Sequence, residues 1–207
     1  KSFFYVWVDA NHRPSKVFRH VVGTDPKSDV EIFAENNPGF FISVAATQSH
    51  RFILIDSHDH ETSEVRFIDA ATPEAKPRLI ARRKAGMEYT VDHGHLNGED
   101  RFFILTNTDG AEDFKIMTAP TATPERRHWK DLVPHVPGRL ILDITVFADY
   151  LVRLERESSL PRIVIRRLST GEEHAIAFDE QAYSLGIIDG FEFDTTKLRF
   201  TYSSMTT

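Results

Sequence analysis

Residues 56–61 read DSHDHE, and residues 91–96 read VDHGHL. His58 and His60 stand two apart among Asp56, Asp59 and Glu61, and His93 and His95 repeat the spacing. On an extended strand, side chains two apart point the same way, as two ligands of one metal must. In loops the same residues would act instead through their charge. The loop reading is preferred. The first pair falls between the second and third strands of one repeat, and the second between the first and second strands of the next. No metal ligand and no cofactor is assigned.

Other catalytic chemistry is missing from the sequence. Covalent catalysis needs an activated Ser, Thr or Cys beside a base, and cysteine is absent. Two glycine pairs have the spacing of a Gly-x-Ser-x-Gly elbow, Gly94 to Gly98 and Gly186 to Gly190, but Leu96 and Ile188 occupy the serine position. No dinucleotide-binding glycine motif, phosphate-binding loop or His-Glu-x-x-His occurs. The carboxylate pairs Glu112 with Asp113 and Glu155 with Glu157 are expected to be surface charge. The run Arg82-Arg83-Lys84 reads as a solvated turn, and Trp7, Trp129 and the many phenylalanines as core between sheets.

The elements that position these residues are strands. Runs such as FFYVWV, RFILID, RFFILT, LILDITVF and RIVIRRL are short, rich in β-branched and aromatic residues, and bounded by turn residues. Corresponding strands start at Phe4, Phe52, Phe103, Leu151 and Arg199, spaced 48, 51, 48 and 48 residues apart. Four antiparallel strands repeated about every 50 residues are the signature of a β-propeller. The expected fold is all-β, a partial propeller of about four to five four-stranded blades forming the arc of a larger ring. The chain is treated as one propeller fragment. Approximate blades cover 1–37, 38–84, 85–136, 137–180 and an incomplete 181–207. Lys1 opens inside a strand pattern and Thr207 follows one, so both ends are expected to be internal to a longer chain.

Composition narrows the function classes. The 207 residues are 41% hydrophobic and 27% charged, with a formal net charge of −6. That balance disfavours nucleic-acid or anionic-membrane partners. No apolar run approaches the roughly 20 residues of a spanning helix. Absence of cysteine suits a reducing compartment, and the expected location is cytoplasmic. Open blade faces would carry apolar surface, so self-association of the isolated chain is expected.

Several stretches carry a resemblance. DANHRPSKVFRHVVGT, TSEVRFIDAATPEAKPRLIARR, DRFFILTNTDGAEDFKIMTAP, DITVFADYLVRLERESSLPRIVIRRL and FEFDTTKLRFTYSSMTT are similar to the propeller of the oligopeptidase B (protease II) branch of the prolyl oligopeptidase family. ILTNTDGAEDFKIMTAP and FDTTKLRFTYSSMTT are its most particular pieces, and the likeness covers essentially the whole chain. Asp113 stands where Asn is commoner, and Lys115 where Arg is. The resemblance implies a seven-bladed propeller over an α/β-hydrolase domain that carries a Ser-Asp-His triad and cuts short peptides after Arg and Lys. That C-terminal hydrolase domain would be the chain's partner, and the catalytic residues would lie there, none of them here.

The propeller would then filter substrates, admitting short basic peptides and excluding folded proteins. The resemblance brings loops between second and third strands toward the substrate path. The candidates are His58, Asp59, His60 and Glu61, then Asn107 and Asp109, then Glu155 and Arg156. A free-standing propeller scaffold that binds another protein is the alternative function.

Overall fold

The computed structural model describes residues 1–206. Among the described residues, all regular structure is antiparallel sheet apart from three 3-10 turns at 26–28, 108–110 and 126–128. The chain divides into two compact units, Lys1–Tyr89 and Thr90–Thr207.

In the first unit, β1 (Ser2–Val8), β2 (Pro14–Val21) and β3 (Val30–Ala34) form a three-stranded sheet. A four-stranded sheet follows, ordered β4 (Phe41–Ala46), β5 (Phe52–His58), β6 (Ser63–Asp69) and β7 (Arg78–Leu79). Within each sheet the strands pair in sequence order, as short turns allow and crossover helices would not. Strand alternation places Phe4 and Val6 of β1 with Ile53 and Ile55 of β5 in one core, around fully buried Val17. Trp7 has the opposite parity. It is 44% exposed rather than core, and Lys16 Nζ lies 5.6 Å from its ring centre.

Tyr89 closes the first unit. Its hydroxyl donates to Ala81 O at 2.7 Å and accepts from Val65 N at 2.7 Å and Ala81 N at 3.3 Å. Burial pushes its ionisation far above the ordinary tyrosine value, so it stays a neutral donor. Tyr89→Phe is expected to cost about 2 kcal/mol, because three buried backbone groups lose a partner; the urea midpoint of the full-length protein measures it.

The second unit contains two four-stranded sheets and a two-stranded one. The first is ordered β8 (Tyr89–Leu96), β9 (Glu99–Thr106), β10 (Lys115–Pro120) and β11 (Lys130–Val133). The second runs β12 (Arg139–Val146), β13 (Tyr150–Glu157), β14 (Leu160–Arg167) and β15 (Glu173–Ala175), and β16 (Tyr183–Ile188) pairs with β17 (Arg199–Ser204). The middle sheet is covered on both faces. Leu151 packs with Phe103 and Ile116 on one side, while Val152 on the next position packs with Leu185 and Phe200 on the other. Hence consecutive apolar residues in β13, where a one-faced strand would alternate. Trp129 is buried here, its indole donating to Pro124 O at 2.8 Å.

Two hairpins end in two-residue turns with both central residues at positive φ. Asn97 and Gly98 join β8 to β9, and Ser158 and Ser159 join β13 to β14. The first turn corrects the sequence reading of VDHGHL. His93 and His95 lie within β8, which continues to Leu96, and Gly94 between them is a packing residue rather than a turn. The all-β, propeller-type fold read from the repeats is the fold observed.

Candidate functional site

In the first unit, β5 ends at His58, and residues 59–62 form the turn into β6 with His58 paired to Ser63. Asp59 builds that turn. Its Oδ1 accepts from Glu61 N at 2.8 Å and Thr62 N at 2.7 Å, and its own N–H donates to Thr62 O at 3.0 Å. This is the local side-chain-to-backbone bonding that makes Asp a turn former. His60 and Glu61 are exposed, and His58 is half-buried. His58 Nδ1 stands 3.4 Å from Asp56 Oδ2. Burial pushes the Asp56 carboxyl up to about 6, against the opposing pull of His58. Nearby Glu88 is also raised, by burial and then by the like charges of Glu61 and Asp59. Asp59, Glu61 and Glu88 thus make an acidic patch at the turn.

Beneath the patch lies a polar network that no local sequence pattern announces. Arg83 is not in a solvated turn. Its Nη2 donates to Glu35 Oε2 at 2.5 Å, and it reaches Ser57 Oγ and Glu64 Oε1 at 3.3 Å each. The guanidinium also sits 4.1 Å from the ring centre of Phe40. Ser57 Oγ donates to Glu35 Oε2 at 2.5 Å. Burial alone would raise the Glu35 carboxyl, but hydrogen bonds from Arg83, Ser57 and the Asn37 amide outweigh it and hold Glu35 below its ordinary value. Arg13 does similar work one strand away, donating to Asn37 O at 3.1 Å and Phe40 O at 2.9 Å while it pairs with Asp9 at 3.2 Å. Nothing in the pattern Arg82-Arg83-Lys84 marks which of the three side chains turns inward.

In the second unit, Asn107 and Asp109 occupy the loop between β9 and β10, with Asp109 exposed and at φ 59°. Asp109 accepts from Arg126 at 2.6 Å and lies 3.5 Å from Lys115 Nζ. Burial opposes ionisation there, and the Arg126 charge outweighs it, holding the Asp109 carboxyl low.

Glu155 and Arg156 depart from the loop expectation. Both lie inside β13, since the Ser158 and Ser159 turn starts later than the charged sequence suggests. Glu155 is not surface charge: its side chain is 1% exposed and pairs with Arg153 at 2.8 Å, with Arg139 and Arg162 each 3.8 Å away. Arg156 points to the opposite face, exposed, beside Leu142, Leu154 and Tyr183. Asp109 and Glu155 thus belong to separate ion-pair networks, and Glu155 is a structural anchor inaccessible to a peptide.

Among the described residues, no group of three or more His, Cys, Asp or Glu side chains is arranged to hold a metal ion. No helix of the described residues is long and apolar enough to cross a membrane.

Comparison with known proteins agrees with this architecture. Over 208 aligned residues the chain is 35% identical to dipeptidyl aminopeptidase BI of Pseudoxanthomonas mexicana, covering 100% of this chain and 28% of that protein. It is 31% identical to protease 2 of Moraxella lacunata, covering 99% and 28%. Oligopeptidase B of Leishmania major superposes with a TM-score of 0.90 at 28% identity, over 100% of this chain and 30% of that one. Oligopeptidase B of Trypanosoma brucei, in a closed form with covalently bound antipain, gives 0.89 at the same identity and coverage. The chain therefore spans a little over a quarter of the length of these relatives. Residues 1–207 match the prolyl oligopeptidase N-terminal β-propeller domain throughout, and the chain belongs to that family.

Proposed function

We propose that this chain is the non-catalytic, substrate-gating propeller segment of a serine oligopeptidase that hydrolyses short peptides after Arg and Lys. The observation that carries the reading is the match of the entire chain to the propeller domain of one peptidase family. The absence of a Gly-x-Ser-x-Gly elbow supports assigning the catalytic Ser, Asp and His to an α/β-hydrolase domain elsewhere in the same protein. Identity to protease 2 and superposition on oligopeptidase B favour that branch. Cytoplasm is the proposed compartment, and the proposed substrates are basic peptides. Isolated from its partner domain, the chain is proposed to self-associate through exposed Phe3, Trp7 and Val8.

The test compares peptides differing only in the residue before the cleaved bond. The full-length protein should cleave after Arg and Lys, and chain 1–207 alone should cleave nothing. Equal rates after neutral residues would exclude the basic specificity. The 35% identity to a dipeptidyl aminopeptidase supports a second reading, release of dipeptides from a free amino end. Acetylating the substrate's amino end separates the two, since only the second needs that amine.

The charge of the 59–61 turn supplies the proposed attraction for basic peptides. Asp59→Asn with Glu61→Gln removes two charges yet keeps an oxygen able to accept from the Glu61 and Thr62 amides. In the full-length protein the double variant should raise KM for a dibasic peptide about tenfold at low salt. It should also flatten the salt dependence of KM, because screening then has less to screen. An unchanged KM at every ionic strength would remove this loop from the substrate path.

A further inference from the structure

We infer that Arg83 is the positioning residue of the 58–61 loop: it grips both strands that flank the loop and so sets how the loop meets an approaching peptide. The inference rests on the gating function proposed above and names the device that would orient the gate.

The loop is closed on itself by three hydrogen bonds of Asp59, which tie its residues to one another. Its orientation is then decided by whatever holds its two ends. On the incoming side, Ser57 is 1% exposed and hydrogen-bonded to both Glu35 and Arg83. On the outgoing side, Glu64 accepts the Arg83 backbone N–H at 3.0 Å and its guanidinium at 3.3 Å. The segment after Arg83 continues the grip. Gly86 N donates to Thr62 Oγ1 at 3.2 Å, and Ser63 N donates to Met87 O at 3.0 Å. One arginine therefore reaches Ser57 and Glu64, residues from the two strands on either side of the loop, and stacks on Phe40 while doing so. Only a planar guanidinium offers several donors and a stacking face together; an ammonium offers neither the plane nor the fork.

Glu35 shows why the arrangement is more than a surface tie. Its carboxylate is buried and receives Arg83, Ser57 and the Asn37 amide at 2.9 Å. Removing the arginine leaves a buried charge, which destabilises a fold for reasons unrelated to function. The test must separate that penalty from a change in loop orientation.

The experiment uses the full-length protein and three variants, Arg83→Met, Arg83→Met/Glu35→Gln and Arg83→Lys, each assayed for Tm and for KM and kcat on a dibasic peptide. Arg83→Met should lower Tm, and because it also removes a positive charge beside the acidic turn, the charge-neutral double variant is the one whose KM reads loop orientation. Adding Glu35→Gln removes the buried charge and should recover most of the Tm while KM is raised at least about threefold, the change falling on KM rather than kcat. Arg83→Lys keeps the charge and should raise KM by about twofold. If the double variant and Arg83→Lys both return the wild-type KM, the network is purely structural and the inference is overturned. Failure of the underlying gating function is distinguishable, because it shows in the wild type, as cleavage without preference for basic peptides.

Discussion

Replacing Arg153 with methionine is expected to cost about 3–5 kcal/mol of folding stability, the usual penalty for stripping one partner from a buried ion pair. The Arg153 side chain is 3% exposed and donates Nε to Glu155 at 2.8 Å. Its two terminal nitrogens form a fork on the Glu173 carboxylate at 2.9 and 2.8 Å. Arg166 adds a further bond to Glu173 at 2.9 Å. Hydrogen bonding from Arg153 holds the Glu173 carboxyl at about 2, well below its ordinary 4.5. A depressed carboxyl stabilises the fold fully above the unfolded value and loses that contribution as pH falls from 4.5 toward 2. The wild type should therefore lose stability across that window, and Arg153→Met should lose less there. Adding Glu155→Gln to Arg153→Met removes the stranded charge and should recover much of the loss. Urea midpoints of the full-length protein at pH 7 and across the acid range measure both effects. A midpoint at pH 7 unmoved by Arg153→Met would contradict the buried pair.

Gly94→Val should destabilise by about 3 kcal/mol, at the upper end of ordinary overpacking. A Cβ added at Gly94 would stand 2.4 Å from Val146 Cγ1 and 3.4 Å from the Phe103 ring. Val146 is fully buried, and its N–H donates to Asp92 Oδ2 at 2.7 Å, so β12 is fastened against β8 at this point. The Val146 backbone cannot withdraw without breaking that bond, so room for a Cβ has to come from its side chain. Gly94→Ala should show a smaller loss, and Val146→Ala should relieve part of it, because the clash is with the Val146 methyl. A Gly94→Ala/Val146→Ala pair whose losses simply add would argue against the close approach.

These two residues mark what the sequence could and could not convey. Strand identity was legible because repeats near 50 residues recur with β-branched and aromatic runs between turn residues, and every strand pairs locally. Turn position was less legible. Gly94 resembles a chain break, whereas its lack of a side chain serves packing, and the break comes at Asn97 and Gly98. Glu155 looks like loop charge because charge usually means solvent. Register explains why it is not: Arg162 lies opposite Glu155 on β14, and Arg139 and Arg153 approach from β12 and its own strand. Trp7 reads as core by its size, but its parity, opposite to that of Phe4 and Val6, turns it outward. In the candidate site, the Asp59 turn follows from local spacing. The Arg83 network joins residues 19 to 48 positions apart, a separation no local pattern encodes.

The propeller is proposed to filter substrates by size ahead of a hydrolase site on the same protein. The most direct measurement is the kcat/KM of the full-length protein on one arginine-containing sequence presented in peptides of increasing length, and finally within a folded domain. A filtering propeller should give efficient cleavage of the short peptides, a steep fall as length grows, and no cleavage of the folded domain. Cleavage of the folded domain at a rate comparable with the short peptides would contradict it.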